Sequence, residues 1–178
     1  MRVITGSLKG RIFEAPRGHR THPMGDKIRG ALFGVLGDIK GLTVLDAFSG
    51  SGALAIEAIS RGAESVVAIE IDKEAYQTIV ANVENLKLKD KIIVMRKNIG
   101  GWSRNNQHKK FDLVLADPPY DDINPTILVK LIGQVNPGGL FVLSWPGSEP
   151  IRAFDSLEVV ADKQYGDAQL VFYRKNSV

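Results

Sequence analysis

Asp46-Ala47-Phe48-Ser49-Gly50-Ser51-Gly52 leads from the apolar stretch Leu42-Thr43-Val44-Leu45 into residues 52–61, which read as a helix closed by Gly62. A strand, a glycine turn and a helix in that order predict the first step of a parallel α/β sheet. Glycine lets the backbone turn sharply and approach a ligand closely. The helix that follows presents free N–H groups and a partial positive charge, suited to a carboxylate or phosphate. Glu70 ends the next apolar run, about 20 residues on, where a carboxylate can accept both hydroxyls of a ribose. Gly50-Ser51-Gly52-Ala53-Leu54-Ala55 also satisfies the looser dinucleotide fingerprint Gly-x-Gly-x-x-Ala, so an NAD oxidoreductase competes on this loop alone. Asp46 tilts the choice toward adenosylmethionine. A carboxylate at the strand end suits the ammonium of a methionine moiety and not a pyrophosphate.

Outward from this loop the chain alternates. Residues 65–70, 91–95, 111–117 and 139–145 read as buried strands, and residues 73–86 and 123–134 as helices. Residues 98–110 are polar, with Gly100-Gly101 and Asn105-Asn106, and suit a loop or a poor helix. Strands alternating with helices imply a mostly parallel sheet covered on both faces, a Rossmann-like α/β fold. Two late strands near 156–163 and 168–174, with no long helix between them, imply an antiparallel end. Ahead of the loop, Ile28, Ala31, Leu32, Val35 and Leu36 recur at helical spacing from Asp26, with Lys27 and Arg29 off that stripe. Val3-Ile4-Thr5 and Arg11-Ile12-Phe13-Glu14 flank a turn-like Gly6–Gly10 segment, which predicts a β-hairpin. Two regions result: a basic hairpin appendage over 1–24 and the main α/β domain over 25–178.

The chain has 178 residues, 44% hydrophobic and 24% charged, which suits one domain with a sizeable core. Cysteine is absent, so disulfides, thiolate metal sites and cysteine nucleophiles are excluded. His19, His22 and His108 show no metal-ligand spacing, and no metal is expected. No apolar run approaches the roughly 18 residues of a membrane span. The start lacks a secretory apolar region, so a cytoplasmic protein is expected. Residues 1–30 hold Arg2, Lys9, Arg11, Arg17, Arg20, Lys27 and Arg29 against Glu14 and Asp26. That is a net +5, leaving −2 on the rest of a chain whose total is +3. A basic arm on a slightly acidic body fits a phosphate-bearing partner as well as it fits a solvated surface.

Asp117-Pro118-Pro119-Tyr120 follows directly from the strand at 111–117. Two prolines fix φ and offer no N–H, so the segment is stiff and its carbonyls are free. A carboxylate, a carbonyl and an aromatic ring then stand together at the carboxyl edge of the sheet, where such folds bind ligands. An exocyclic amine on a nucleobase is a poor nucleophile, because its lone pair is delocalised into the ring. The Asp117 carboxylate and the Pro118 carbonyl can accept its two N–H groups and aim the freed lone pair at a sulfonium methyl. Tyr120 can stack on the base, a contact of roughly 1–3 kcal/mol. Transfer then depends on proximity and orientation.

Together Asp46-x-x-x-Gly50-x-Gly52, Glu70 and Asp117-Pro118-Pro119-Tyr120 resemble the class I methyltransferases of the amino group type. The opening Arg2-Val3-Ile4-Thr5-Gly6-Ser7-Leu8-Lys9-Gly10-Arg11 and Ser51–Ala63 resemble one family more closely: the bacterial 16S rRNA (guanine-N2) methyltransferases of the RsmD type. So do Asp26-Lys27-Ile28-Arg29-x-Ala31-Leu32-Phe33 and the closing Tyr165-Gly166 and Tyr173-Arg174. The resemblance implies a seven-stranded sheet, adenosylmethionine as donor, and a guanine of 16S rRNA or the small ribosomal subunit as acceptor. It implies a cofactor set of Asp46, Phe48, Gly50, Gly52, Glu70, Ile71, Asn98, Ile99 and Asp117, and a catalytic set of Asp117, Pro118 and Tyr120. RNA contacts fall on Lys9, Arg11, Arg17, Arg20, Lys27 and Arg29, and a monomer is expected. The chain departs from the family at His22, Met24, Gly30, Gly34, Asn98, Ser144 and Ala168. Adenine-N6 or cytosine-N4 methylation of RNA or DNA needs the same tetrad. An NAD oxidoreductase and a catalytically silent RNA-binding protein of the same fold are the remoter alternatives.

Overall fold

Valine, isoleucine and leucine dominate the runs at 43–46, 65–70, 92–96 and 111–116, and each forms a strand, largely buried on both faces except at 92–96, the sheet edge, where Ile93 is exposed. The computed structural model describes residues 1–17 and 24–177. Along the chain these are α1 (Asp26–Leu36), β1 (Thr43–Asp46), α2 (Ala53–Ser60), β2 (Ser65–Glu70), α3 (Lys73–Asn85) and β3 (Ile92–Arg96). They continue as α4 (Ile99–Asn105), β4 (Phe111–Ala116), α5 (Pro125–Gly133), β5 (Val135–Pro146), β6 (Leu157–Tyr165) and β7 (Ala168–Lys175). The strands form one seven-stranded sheet in the order β3-β2-β1-β4-β5-β7-β6. β1 to β5 are parallel, while β7 runs antiparallel to both β5 and β6. The chain winds outward from β1 to β3 and then returns to the other side of β1, so a crevice opens between the carboxyl ends of β1 and β4.

Two apolar cores lie on the two faces. One joins α1, α2 and α3 to the sheet through Leu32, Phe33, Ile56, Ile79 and Leu113. The other joins α4 and α5 through Trp102, Leu128, Leu131, Phe141 and Tyr173. At the amino end of the sheet the Asp112 carboxylate accepts the Thr43 backbone N–H and hydroxyl and the Asn136 amide, all within 2.9 Å. These bonds, the Thr43 backbone first, hold its pKa below the usual carboxylate value.

Two elements differ from the sequence expectation, and at a third, read as a loop or a poor helix, the structure chooses the helix. Residues 99–105 form the short helix α4, capped by Asn98, whose Oδ1 accepts the Gly101 N–H at 3.0 Å. The glycine that argued against a helix serves packing instead: a Cβ on Gly100 would stand 3.3 Å from Ile127 of α5. Strand β5 begins at Val135, four residues early, because its pairing with β4 absorbs Gly138-Gly139 as an irregularity between Phe111 and Leu113. Helix α1 is rotated from its expected face. It buries Arg29, Leu32 and Phe33 and leaves Val35 37% exposed.

The reason is the segment ahead of it. Residues 1–13 fold back antiparallel, with a bridge between Arg2 and Ile12 and a bond from the Gly10 N–H to the Val3 carbonyl. Val3 and Phe13 join the first core. The buried Glu57 of α2 accepts the N–H groups of Ile4 and Thr5 at 2.9 and 3.0 Å and Arg61 Nε at 2.8 Å. Its other oxygen lies 3.8 Å from Arg29 Nε. Arg29 donates to the carbonyls of Met24 and Arg2 and to Asp26. Asn82 of α3 bonds both the N–H and the carbonyl of Glu14. Arg29 is therefore withdrawn from the RNA-contact set. With no exposed surface and these partners, its charge is spent inside the fold.

Candidate active site

Asp46 stands at the carboxyl end of β1, fully buried, and neither carboxylate oxygen has a hydrogen-bond partner. Burial first, then the nearby Asp117 charge, push its pKa from 3.8 up to about 7. A buried, unpartnered carboxyl costs free energy unless something else completes it, and a cation does so best. The glycine turn wraps this group. Gly50 and Gly52 take φ of +51° and +75°, which only glycine adopts readily. A Cβ on Gly52 would stand 3.0 Å from Ile79, whereas one on Gly50 would meet nothing within 4 Å. The loop is thus tight toward the core and open toward the crevice.

Glu70 ends β2 beside it. Its two oxygens accept the N–H groups of Gly50 and Asp72, each at 2.7 Å. These bonds fix the carboxylate on the turn, and each oxygen keeps a second lone pair for a hydroxyl. Ile71, the next residue, is 61% exposed, an apolar side chain left in the open at the sheet edge. A cavity of about 300 Å³ is lined by Phe48, Asn98, Ile99, Pro118, Pro119 and Asp122, among others. The residues expected to hold a nucleoside cofactor, Asp46, Phe48, Gly50, Gly52, Glu70, Ile71, Asn98 and Ile99, all lie along this edge, from the ends of β1, β2 and β3. Asn98 already uses Oδ1 to cap α4, so its amide reaches the cavity with that oxygen partly committed.

Asp117 leaves the end of β4, next to Asp46. Burial raises its pKa, opposed by the Ser144 hydroxyl. Pro118 is buried and Pro119 exposed, and the tetrad turns with a bond from the Asp122 N–H to the Pro119 carbonyl. Tyr120 is 39% exposed, and its hydroxyl lies 2.8 Å from Ser144 Oγ. Ser144 is a site residue that the sequence marked only as a departure from the family, with no role in the site. The available signal was topological: β5 pairs in parallel with β4, so its carboxyl end must share the same edge. Met24, just before α1, lines a narrow apolar recess together with Asp117 and Ser144.

The expected RNA contacts scatter differently. Lys9, Arg11, Arg17 and Lys27 are exposed, Arg29 is buried, and Arg20 lies outside the described residues. Among the described residues, no cluster of His, Asp and Glu has the geometry to hold a metal, and no helix is long and apolar enough to cross a membrane.

The chain as a whole is similar to known proteins. Residues 1–174 match the family model described as Conserved hypothetical protein 95. Bacillus subtilis YlbH is 36% identical over 137 residues, which cover 75% of this chain and 74% of that one. Ribosomal RNA small subunit methyltransferase D of Haemophilus influenzae is 26% identical over 180 residues, covering 98% and 92% of the two chains. A solved Escherichia coli structure superposes with a TM-score of 0.90 over 100% of this chain and 99% of that one, at 24% identity, which speaks for the fold. With the family model spanning nearly its whole length, the chain belongs to the Conserved hypothetical protein 95 family, that of the RsmD-type class I methyltransferases.

Proposed function

We propose that the protein transfers a methyl group from S-adenosylmethionine to the exocyclic N2 amine of a guanine in 16S rRNA of the small ribosomal subunit. The observation that carries this reading is the pair of carboxyls at the crevice: Asp46, buried and unpartnered, beside Asp117 at the head of the Pro-Pro-Tyr turn. One receives a cation and the other faces an acceptor. The residues fit the cofactor. Asp46 would take its ammonium, Glu70 its ribose hydroxyls, and Phe48, Ile71 and Ile99 its adenine faces, with Asn98 at the rim. When bound, it supplies a methyl group on a positively charged sulfur.

The chain's own residues do the rest. The Asp117 carboxylate and the Pro118 carbonyl accept the two amine N–H groups and turn the nitrogen lone pair out of conjugation. Tyr120 stacks on the base and limits its motion, so the attacking nitrogen meets the methyl in line. As the N–C bond forms and the methyl–sulfur bond breaks to leave a neutral thioether, the nitrogen would acidify and give its proton to Asp117, whose raised pKa suits it to accept one. The exposed Lys9, Arg11, Arg17 and Lys27, with Arg20, would hold the phosphate backbone. The ribosomal substrate is supported by the relatives named ribosomal RNA small subunit methyltransferase D. Labelled adenosylmethionine offered with naked 16S rRNA, small-subunit particles and duplex DNA tests the reading. Label is expected in the ribosomal RNA, on N2 of guanine after nuclease digestion. Label confined to DNA, or found on adenine or cytosine, would sink it.

A further inference from the structure

Tyr120 keeps its ring at the surface while its hydroxyl turns inward to Ser144, a side chain only 4% exposed. Ser144 sits one step beyond the Ala116–Leu143 register pair of β4 and β5, level with Asp117. Its hydroxyl also opposes the burial-driven rise of the Asp117 pKa, and the two residues line the same recess. The surroundings are apolar: Leu143 and Trp145 flank it, and Leu170 of β7 is its cross-strand partner. A buried hydroxyl in such a place is unfavourable unless it is bonded, and packing alone would accept alanine. Serine has one proton and two lone pairs. With Asp117 ionised, the proton goes to the carboxylate and the Tyr120 hydroxyl donates to Ser144 Oγ. Among the described residues, Tyr120 has no other side-chain hydrogen bond.

We propose that Ser144 is a positioning residue for the acceptor base. From a rigid strand it ties the Tyr120 ring and the Asp117 carboxyl into one geometry, so that a base stacked on the ring presents its amine to the carboxylate. Both groups otherwise hang from a turn held by its two prolines and the bond from the Asp122 N–H to the Pro119 carbonyl. The proposal rests on the reading of this edge as an amine methyltransferase site. The other carboxyls near Asp117 are Asp46 on β1 and, behind it, Glu70 on β2. Neither changes when Ser144 is replaced.

The test uses Ser144→Ala and Ser144→Thr in the full chain. Carbon-13 NMR of carboxyl-labelled aspartate, with Asp117→Asn to assign the resonance, follows the Asp117 titration without any substrate. Its midpoint is expected to move further up in Ser144→Ala and to return toward wild type in Ser144→Thr. In single-turnover transfer, Ser144→Ala is expected to lose about tenfold in rate, the cost of a loosened near-attack geometry, with adenosylmethionine affinity unchanged and threonine restoring most of the rate. An unmoved Asp117 titration, an unmoved rate, or a loss that threonine does not restore overturns the proposal. If the wild-type protein methylates no RNA, that result counts against the proposed function alone, and the titration then decides the role of Ser144.

Discussion

Asp46 shows how a single residue can cost stability in order to bind. Unfolded, its carboxyl ionises near 3.8; folded, near 7. Between those values the unfolded chain has released a proton that the folded protein still holds, so stability falls as pH rises through this window and levels off above it. Asp46→Asn removes the penalty. At pH 8 it is expected to stabilise the protein by on the order of 2–4 kcal/mol. In urea titrations the gap to wild type should close toward pH 4, and calorimetry should show lost adenosylmethionine binding. A gap of equal size at both pH values would mean that the carboxyl is not desolvated. Asp117 is the converse case. Asp117→Ala should abolish transfer while leaving the cofactor affinity close to wild type, as equilibrium dialysis would measure. The two acids were legible as site residues from their places at strand ends. Their mutual influence was not, because it depends on β1 and β4 lying side by side although some 70 residues separate them.

At the scale of elements, α2 serves two sides. Its N terminus faces the glycine turn, and its last turns, through Glu57 and Ser60, bind the amino-terminal hairpin. Sequence periodicity could find the helix but not the hairpin's dependence on it, since Glu57 reads as an ordinary surface acid. The same blind spot turned α1. Arginine at position 29 reads as a surface residue, yet Asp26 and two backbone carbonyls bond its terminal nitrogens inside, with the Glu57 charge 3.8 Å from an Nε that has no hydrogen-bond partner. Glu57→Ala removes one of the two carboxylates paired with the buried Arg29 and frees the Ile4 and Thr5 backbone donors. Breaking a buried pair in this way costs about 3–5 kcal/mol. The expected outcome is a melting point several degrees lower and cleavage by trypsin within residues 1–17 well before the main sheet opens. Equal protease resistance in the two proteins would show that the hairpin holds on by its apolar contacts, Val3 and Phe13, alone.

For the whole molecule, the order β3-β2-β1-β4-β5-β7-β6 brings every chemical group to one edge. Met24, just ahead of α1, borders that edge beside Asp117 and Ser144, whereas the amino-terminal hairpin docks on the far end of α2. The exposed Lys9, Arg11 and Arg17 of the hairpin predict RNA binding with a steep salt dependence. Replacing both Arg11 and Arg17 with alanine should weaken RNA binding and reduce the slope of log K against log salt by about 1.4–1.8, two phosphate contacts. Filter binding across a salt series measures it. An unchanged slope would move the RNA path to another face.

The sequence by itself determined the strand–helix alternation, the antiparallel end of the sheet, the glycine turn with its two acids and the stiff tetrad. These are set by neighbours in the chain, through periodicity, proline and glycine. Tertiary structure alone decided the facing of α1, the burial of Arg29, the proximity of Asp46 to Asp117 and the bond from Tyr120 to Ser144. Each of these joins groups far apart in sequence. The sign of a charge or the spacing of apolar residues does not reveal which distant partner will satisfy a buried polar group, and only the packed sheet does.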